Sequence, residues 1–466
     1  MRRFILSAFA SVSIVYCTAQ TDDSLTIRKI ASEILVNSQA YENLRYLTKQ
    51  IGPRLAGSGG MVKAEKWGYQ AFQKAGADKV FMQECMVPYW VRGGKDEAFV
   101  TGIQSAKVKG LADARITKKS LDVIALGNSI GSGPKGIAGE VVEVSSFEDL
   151  EQKKDQVKGK IVFYNYHFKK DFVETFDGYS DAVKYRGGGP GNAAKYGAAG
   201  VIIRSISHGE NNHPHTGGTR YDSAYPKIPG VAVGLQDADW LSKELESKKL
   251  NMTIKTYGYF KPDTIGHNVI AEWKGSAFPD EIITVGAHLD SWDNCEGAHD
   301  DGAGCVQTIE IVRAFKAIGY QPKRTIRFVL FANEENGVRG GNKYAAVAKE
   351  KNEQHVFALE SDAGGFTPRG FGFTAKPEVF AKIKSWEHLL RPYGGGYFAP
   401  EGSGVDIAPL NRTLGTTIAG LMPDSQRYFD YHHARNDVFE AVNKRELDLG
   451  AVNMAALIYL VDKYGL

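Results

Sequence analysis

The stretch IITVGAHLDSWDNCEGAHDDGAG, from Ile282 to Gly304, indicates the fold class of this chain. It opens with a short apolar run that is typical of a buried strand. Polar residues follow at once, with His288 and Asp290 first and Asp300 after a glycine-containing loop. The amphipathic pattern of residues 303–318 then predicts a helix. The order of strand, polar loop and helix is the repeating unit of an α/β domain.

The same order continues along the second half of the chain, from about residue 262. Apolar runs predict buried strands at Asn268–Trp273, Ile282–Gly286, Ile326–Phe331, Val356–Leu359 and Thr417–Leu421. Helical periodicity predicts helices at 303–318, 341–351, 377–390 and 445–464. This alternation predicts an α/β domain with a mostly parallel mixed sheet and helices on both faces.

Metal-ligand residue types follow the predicted strands, where sites form in open α/β sheets. They are His288, Asp290, Asp300, Asp301, Glu334, Glu335, Asp362, His432, His433 and Asp437. Each motif alone is more often a helix cap, a core histidine or a solvated helix start. Together they indicate a metal centre, because adjacent buried carboxylates repel each other unless a cation neutralises them.

The motifs His-x-Asp, Asp-Asp-Gly-Ala-Gly, Glu-Glu, Ser-Asp-Ala-Gly and His-x-x-x-Asp stand in this order in the chain. The ordered pattern resembles that of the co-catalytic zinc exopeptidases, which include bacterial leucyl aminopeptidases and glutamate carboxypeptidases. The resemblance covers nearly the whole mature chain. It implies a zinc exopeptidase fold, two zinc ions, and hydrolysis of dipeptides or of the terminal residues of short peptides.

Matching the motifs residue by residue implies a role for each metal ligand. His288 and Asp362 would bind one zinc, Glu335 and His433 the other, and Asp300 would bridge both. These nitrogen and oxygen ligands suit zinc. The family pattern also implies a cis peptide bond between Asp300 and Asp301, with Asp301 as a helix cap or a support for the ligands.

The resemblance also implies three catalytic roles. Glu334 would be the general base, and Asp290 would orient the imidazole of His288. The His432–His433 doublet leaves the choice of ligand open, and the spacing from His433 to Asp437 favours His433. His432 would then lie where related carboxypeptidases place an oxyanion donor, which is usually a tyrosine.

A different pattern occupies the region before the metal motifs. VKGKIVFYNYHF (Val157–Phe168) predicts a turn and a buried strand, and NAAKYGAAGVIIRS (Asn192–Ser205) predicts a small-residue helix and another strand. This pair resembles the β-rich protease-associated domain that is inserted into several exopeptidases. The predicted division is therefore 20–115 and 262–466 for the catalytic domain and 116–261 for the inserted domain.

The amino terminus, MRRFILSAFASVSIVYCTAQ, predicts a secretory signal peptide over residues 1–19. Two arginines precede a short apolar core, and a small-residue cleavage site follows. We therefore expect a secreted or periplasmic protein. A buried helix is the alternative, and a lipid anchor on Cys17 fits less well because Tyr16 precedes it.

Composition narrows the class of protein. The formal net charge is +3 and no long basic run occurs, which argues against a nucleic-acid partner. No second apolar segment is long enough to span a membrane. Cys85, Cys295 and Cys305 of the mature chain form no disulfide framework, and pairing of Cys295 with Cys305 stays open.

Two alternative functions share this fold. One is a zinc acyltransferase of the glutaminyl cyclase type, whose sites typically use one metal. The other is a non-catalytic binding protein on a peptidase fold, as in transferrin receptor; such proteins lose metal ligands, whereas this chain keeps all five and the base. A short peptide is the expected substrate partner. The oligomeric state stays open, with a homodimer as one possibility because related enzymes are often dimers.

Several further residues are candidates near the substrate, and the sequence leaves their roles open. Aminopeptidase, carboxypeptidase and dipeptidase specificity cannot be separated by these motifs. The candidates are His208, His213, His215 and Tyr221 in a loop over the site or in solvent, Ser403, Gly404 and Asp406 on the substrate side, and Arg339 and Arg435 as carboxylate binders.

Overall fold

The computed structural model describes residues 22–103, 116–402 and 404–466. The predicted signal peptide lies outside these residues. The helices are α1 (22–37), α2 (Ala40–Tyr46), α3 (Gly59–Ala75), α4 (Phe147–Gln152), α5 (Thr175–Lys195), α6 (Leu235–Leu245), α7 (Ala303–Ala317), α8 (Arg339–Glu350), α9 (Pro377–Lys384), α10 (Glu387–Leu390), α11 (Ala408–Leu414) and α12 (Lys444–Tyr464).

The strands form two sheets of eight. They are β1 (Lys79–Val91), β2 (Glu97–Ile103), β3 (Ile116–Leu121), β4 (Val123–Ala125), β5 (Ile137–Val144), β6 (Ile161–Tyr164), β7 (Gly200–Arg204), β8 (Gly230–Val233), β9 (Asn251–Lys255), β10 (Tyr259–Trp273), β11 (Phe278–His288), β12 (Arg324–Phe331), β13 (Gln354–Glu360), β14 (Pro368–Thr374), β15 (Tyr397–Ala399) and β16 (Thr417–Pro423).

The first sheet has the order β1-β10-β12-β11-β13-β16-β14-β15. Its centre is parallel, since β11 pairs in parallel with both β12 and β13, and β13 pairs in parallel with β16. Antiparallel pairing joins β10 and β1 on one side and β14 on the other. The predicted mixed α/β sheet is confirmed.

Helices cover both faces of this sheet because side chains alternate along each strand. On β12, Phe328 and Leu330 pack into the core that holds α3, α7 and α12, whereas Val329 and Phe331 pack against α8 and α11 on the opposite face. All eight residues of β12 are buried. A strand buried on both faces explains the continuous apolar run from which it was predicted.

The parallel pairing brings the carboxyl ends of three strands to one edge of the sheet. His288, the last residue of β11, lies opposite Phe331, the last residue of β12. Glu360, the last residue of β13, lies opposite Gly286 of β11. The residues that follow these strands are therefore neighbours in space although they are far apart in the chain.

The second sheet has the order β3-β2-β9-β5-β6-β7-β8-β4. Its central strands, β5 to β8, are parallel. One face packs against α4 and α5 and the other against α6, around two apolar clusters. The loops at one end of this sheet reach the carboxyl edge of the first sheet, where His215 and Thr216 contact residues 432 and 433.

Two features of the first sheet differ from the sequence prediction. The predicted helix at 377–390 is two helices, α9 and α10, because the regular α-helical hydrogen bonding is interrupted at Ser385. The strands β1, β14 and β15 were missed. β1 and β15 are the edge strands of the sheet, β14 lies next to β15, and all three carry mixed apolar and polar residues. Among the described residues, no helix has the length and apolarity needed to cross a membrane.

Candidate metal centre

His288 lies at the end of β11 with its ring fully buried. Its Nδ1 is 3.0 Å from the carbonyl oxygen of Asp290, and since a carbonyl only accepts, Nδ1 carries the ring proton. The other nitrogen, Nε2, is therefore free to bind a cation. It is 3.1 Å from Oδ1 of Asp300 and 3.3 Å from Oδ1 of Asp362.

His433 faces the same aspartate from the other side. Its Nε2 is 3.3 Å from Oδ2 of Asp300 and 3.1 Å from Oε2 of Glu335. Asp300 thus presents one oxygen to each histidine. Its own backbone N–H donates to Oδ2 of Asp437 at 3.2 Å, which holds the residue between the two rings.

The Asp300–Asp301 peptide bond is cis, as the family pattern implied. The two adjacent side chains have different hydrogen-bond partners. Asp301 accepts the backbone N–H of His288 at 3.1 Å and that of Gly304 at 2.9 Å. Asp301 therefore supports the end of β11 and the first turn of α7 through backbone N–H groups and not through the ring nitrogens of the histidines.

The arrangement fits zinc. Donor atoms about 2.0–2.2 Å from one tetrahedral zinc lie about 3.3 Å or slightly more from each other, close to the separations of 3.1–3.3 Å found here. Oδ2 of Asp300 is buried and lacks a hydrogen-bond donor among the described residues. Among the described residues, His288, Asp300 and Asp362 form one group spaced to hold a metal ion. Asp300, His432 and His433 form another, and Glu335 lies 3.1 Å from His433.

The electrostatics of the site also call for cations. Burial, together with neighbouring carboxylates, raises the pKa of Glu334 and of Glu335 well above the ordinary value for a glutamate. Burial would raise the pKa of Asp300 as well, but the imidazoles of His288 and His433 beside it hold that pKa well below its ordinary value. Crowded carboxylates of this kind are stabilised when metal ions replace the missing positive charge.

Asp290 orients the pair of glutamates that follows β12. Its Oδ1 accepts the backbone N–H of Glu334 at 3.0 Å, and its Oδ2 accepts that of Glu335 at 3.3 Å. Oε2 of Glu334 is 4.0 Å from Nε2 of His288. Glu335 also accepts the backbone N–H of Trp292 through Oε1 at 3.1 Å. The two glutamates therefore point toward different parts of the centre.

His432 stacks on His433, with ring centroids 3.6 Å apart. Its Nε2 is 3.8 Å from Oδ2 of Asp300, farther than that of His433. The Nδ1 of His432 is buried and has no hydrogen-bond partner among the described residues. The shorter distances to Asp300 and Glu335 favour His433 as the ligand, and His432 lies beside the centre.

The other residues that the sequence suggested near the substrate differ in their burial and in their hydrogen-bond partners. Tyr221 donates to the carbonyl oxygen of Ile228. Arg435 is half exposed and pairs with Asp122, away from the centre. Among the described residues, the groups spaced to hold a metal ion include none of the histidines at 208, 213 and 215. Ser403 lies outside the described residues.

Asp406, Arg339 and the cysteines differ in burial and in hydrogen bonding. The side chain of Asp406 is fully buried and has no partner among the described residues, while its backbone N–H donates to Glu360. Arg339 is exposed at the start of α8. Cys295 and Cys305 are both free, and the thiol of Cys305 donates to the carbonyl oxygen of His288 at 3.0 Å.

A cavity of about 480 Å³ opens beside Asp362. Apolar side chains such as Phe176, Leu421 and Met422 form part of its wall. The charged residues along its lining are all acidic, namely Glu174, Asp177, Glu360, Asp362 and Glu401. The cavity is large enough for one amino-acid side chain and its backbone, next to a candidate metal ligand.

Sequence reasoning missed the residues that hold the ligands without binding metal themselves. Arg54, buried beneath the loop after β11, donates to three of its carbonyl oxygens. Arg186 of α5 and Thr216, between β7 and β8, contact His433. Their partners are mostly backbone atoms, so no residue-type motif marks them.

Comparison with known proteins agrees with the fold. Residues 268–458 match the model of Peptidase family M28, and residues 137–241 match the PA domain. The chain is 34% identical over 429 residues to Carboxypeptidase Q of Homo sapiens, covering 91% of this chain and 85% of that protein.

Solved structures give the same result. The crystal structure of a peptidase M28 precursor from Shewanella amazonensis superposes with a TM-score of 0.88 at 30% identity, covering 96% of this chain and 98% of the other. A zinc aminopeptidase from Bacillus subtilis shares the fold, with a TM-score of 0.63 at 20% identity over 91% of this chain and 94% of its own.

Proposed function

This chain belongs to peptidase family M28 and is a zinc metallopeptidase; from that premise we propose a two-zinc exopeptidase that cleaves dipeptides or the terminal residues of short peptides. The observation that carries the proposal is the position of Asp300, which offers one oxygen to His288 and the other to His433. One carboxylate between two imidazoles is the ligand set of a bridged pair of ions. His288 and Asp362 would hold one zinc, and His433 and Glu335 the other.

When bound, the zinc ions would lower the pKa of the attacking water and polarise the scissile carbonyl group. The protein supplies the proton transfer. Glu334 would take the proton of the water and pass it to the leaving amine, as a general base and then a general acid. Its position supports this role, since Asp290 anchors its backbone and its carboxylate reaches to within 4.0 Å of His288.

The substitution Glu334→Gln tests the mechanism. We expect it to keep both zinc ions, because Glu334 is not among the proposed ligands. It should reduce kcat by at least about 100-fold, the contribution typical of a general base. Metal analysis and steady-state kinetics on one dipeptide would measure both effects. Glu378→Gln, an exposed glutamate on α9, is the matched control and should behave like the wild type.

Two results would contradict the proposal. Near-normal hydrolysis by the Glu334→Gln variant would exclude this residue as the base. One zinc per chain at saturation would instead favour the acyltransferase of the glutaminyl cyclase type. His432 has no ligand role in this proposal, and it stays a candidate hydrogen-bond donor to the substrate carbonyl.

The cavity beside Asp362 supports a substrate with a free amino terminus. Its charged lining residues are all acidic, so it favours an ammonium group over a carboxylate. A panel of dipeptides, N-blocked peptides and aminoacyl-nitroanilides checks this. Cleavage of free dipeptides without cleavage of N-blocked ones is the expected result, and efficient cleavage of N-blocked peptides would exclude it.

Export, domain limits and assembly remain part of the proposal. Residues 1–19 would direct secretion or periplasmic export, which amino-terminal sequencing of the mature protein checks.

The inserted domain would span 116–261 and the catalytic domain 20–115 with 262–466, which limited proteolysis checks. A homodimer is proposed from the family resemblance, and light scattering measures it.

A further inference from the structure

His433 is a candidate zinc ligand in a turn between secondary-structure elements. It lies outside every helix and strand, and its φ of 63° is in the left-handed region, which is uncommon for residues with a side chain. His288 differs, because it ends β11 and its ring is held by the carbonyl oxygen of Asp290, two residues away. His433 must therefore be held by residues from elsewhere in the molecule.

Those residues come from the PA domain. The backbone N–H of Thr216 donates to the carbonyl oxygen of His433 at 3.1 Å, and the carbonyl oxygen of Thr216 is 3.2 Å from Nδ1 of the same histidine. A carbonyl oxygen only accepts, so Nδ1 carries the proton. The lone pair of Nε2 is then directed at Asp300 and Glu335, which lie at 3.3 and 3.1 Å.

The preceding residue is held by the same loop. Nδ1 of His215 donates to the carbonyl oxygen of His432 at 2.7 Å. Thr216 is itself fixed, since its hydroxyl donates to the carbonyl oxygen of Ala125 at 2.8 Å. Arg186 of α5 donates to the carbonyl oxygen of Thr216 at 3.4 Å. His215 and Thr216 are buried, so water does not compete for these bonds.

The catalytic part of the chain adds two contacts to this network. The side-chain amide of Asn294 donates to the carbonyl oxygen of His433 at 3.1 Å, and the ring of Trp292 lies edge-on to that of His433, with centroids 5.7 Å apart. Among the described residues, the acceptor for the Nδ1 proton of His433 is the carbonyl oxygen of Thr216 in the PA domain. The guanidinium of Arg186 lies 3.4 Å from the same nitrogen, and since it only donates, it makes no hydrogen bond to a protonated Nδ1.

We propose that the PA domain is a structural part of the zinc site formed by His433 and Glu335. Through His215 and Thr216 it fixes the orientation and the tautomer of the His433 ring. This inference rests on the proposed two-zinc function. The other zinc site, at His288 and Asp362, is anchored by Asp290 and needs no residue of the PA domain. Loosening the contact should therefore weaken one zinc site and spare the other.

The experiment is a zinc titration of the full chain with a competing chelator. His215→Phe keeps an aromatic ring but removes the donor to His432. Thr216→Val keeps the volume but removes the bond to Ala125. For both, we expect the affinity for one zinc to fall about 10- to 100-fold, the loss typical when a residue supporting a metal ligand is changed. The affinity for the other zinc should stay unchanged.

Thr216→Ser and Thr219→Val are the controls. Thr216→Ser keeps the hydroxyl and should bind both zinc ions with wild-type affinity. If the shape of the side chain mattered and the hydroxyl did not, loss of the methyl group would weaken zinc binding in this variant. Thr219→Val makes the same change three positions along the loop, where the hydroxyl bonds Gly187 and not the histidines. It should bind both ions normally. Far-UV circular dichroism of each variant checks folding.

The outcomes separate this inference from the proposed function. Loss of one zinc in His215→Phe and Thr216→Val, with rescue by Thr216→Ser, supports the inference. If the wild type binds two zinc ions and the variants bind both more weakly to the same extent, or bind both normally, the inference alone is overturned. A wild-type protein that binds a single zinc would overturn the two-zinc function and this inference with it.

Discussion

Arg54 lies fully buried beneath the loop that follows β11. Its guanidinium donates to the carbonyl oxygen of Leu289 at 2.5 Å, of Glu296 at 2.7 Å and of Gly297 at 2.9 Å. These acceptors lie at the two ends of the loop that joins His288 to Asp300. One side chain thus sets the separation between two candidate zinc ligands, using the planar fork that only arginine has.

We predict that Arg54→Met weakens zinc binding and stability together. Three buried carbonyl oxygens lose their donor, which costs about 1–3 kcal/mol for each that stays unpaired. The ligands on either side of the loop become less well placed, so zinc affinity should fall about 10- to 100-fold. Chelator competition and urea unfolding measure the two effects.

Two further variants sharpen this test. Arg54→Lys keeps the charge but cannot reach three acceptors, so it should lie between the wild type and Arg54→Met. Arg45→Met replaces an exposed arginine that pairs with Glu42, and it should change neither quantity. Wild-type zinc affinity in Arg54→Met would show that the loop keeps its shape without the clamp.

Charged side chains connect three strands of the first sheet at a distance from the metal centre. Arg327 of β12 pairs with Glu272 of β10 at 2.9 Å and with Glu353, just before β13, at 2.8 Å. His355 of β13 is 3.0 Å from the same oxygen of Glu353. Burial alone would raise the pKa of Glu353, but the hydrogen bonds from His355 and Arg327 lower it to about 2.

This network predicts a pH-dependent contribution to stability. The folded pKa of Glu353 is about 2, below the unfolded value of about 4.3. Its contribution is therefore complete above about pH 5 and is lost as the pH falls toward 2. Allowing for solvent screening of a half-buried group, Glu353→Gln should cost about 1–2 kcal/mol at pH 7.

Urea unfolding at pH 7 and at pH 3.5 tests this prediction. The difference between the wild type and Glu353→Gln should shrink at the lower pH, because protonation removes the ion pair from the wild type as well. Glu350→Gln, at the exposed end of α8, is the control and should show no such difference. A difference that stays constant or grows on acidification would contradict the sign of the pKa shift.

The whole molecule should depend on its metal ions for stability. The centre holds the buried Asp300, Asp301 and Glu335 and the partly buried Asp362 close together, and their charges repel each other without cations. Zinc at about 1,000 times its dissociation constant stabilises a folded protein by about 4 kcal/mol per site. A chelator should therefore lower the melting temperature, and added zinc should restore it.

Calorimetry with and without chelator measures the effect. The chelator saturated with zinc beforehand is the control, since it should leave the transition where it is. An unchanged transition after complete zinc removal would mean that protonation of the carboxylates replaces the metal at little cost.

Much of the first sheet was predictable because its strands are buried on both faces and read as apolar runs. Parallel strands place their carboxyl ends at one edge, so the residues after β11, β12 and β13 were expected to meet. The structure brings His288, Asp300, Glu335, Asp362 and His433 to that edge. The edge strands β1 and β15 and the neighbouring β14 lack this pattern and were not predicted.

The sequence by itself determined the class of fold, the family and the residue types at the metal centre, because carboxylates and imidazoles in order after apolar runs have a recognisable pattern. Only the tertiary structure decided what holds them. Arg54 lies 235 residues from Leu289 and Thr216 lies 217 residues from His433, and both residues bond mostly backbone atoms. Every residue offers the same backbone carbonyl, so such a contact leaves no trace in the order of amino acids.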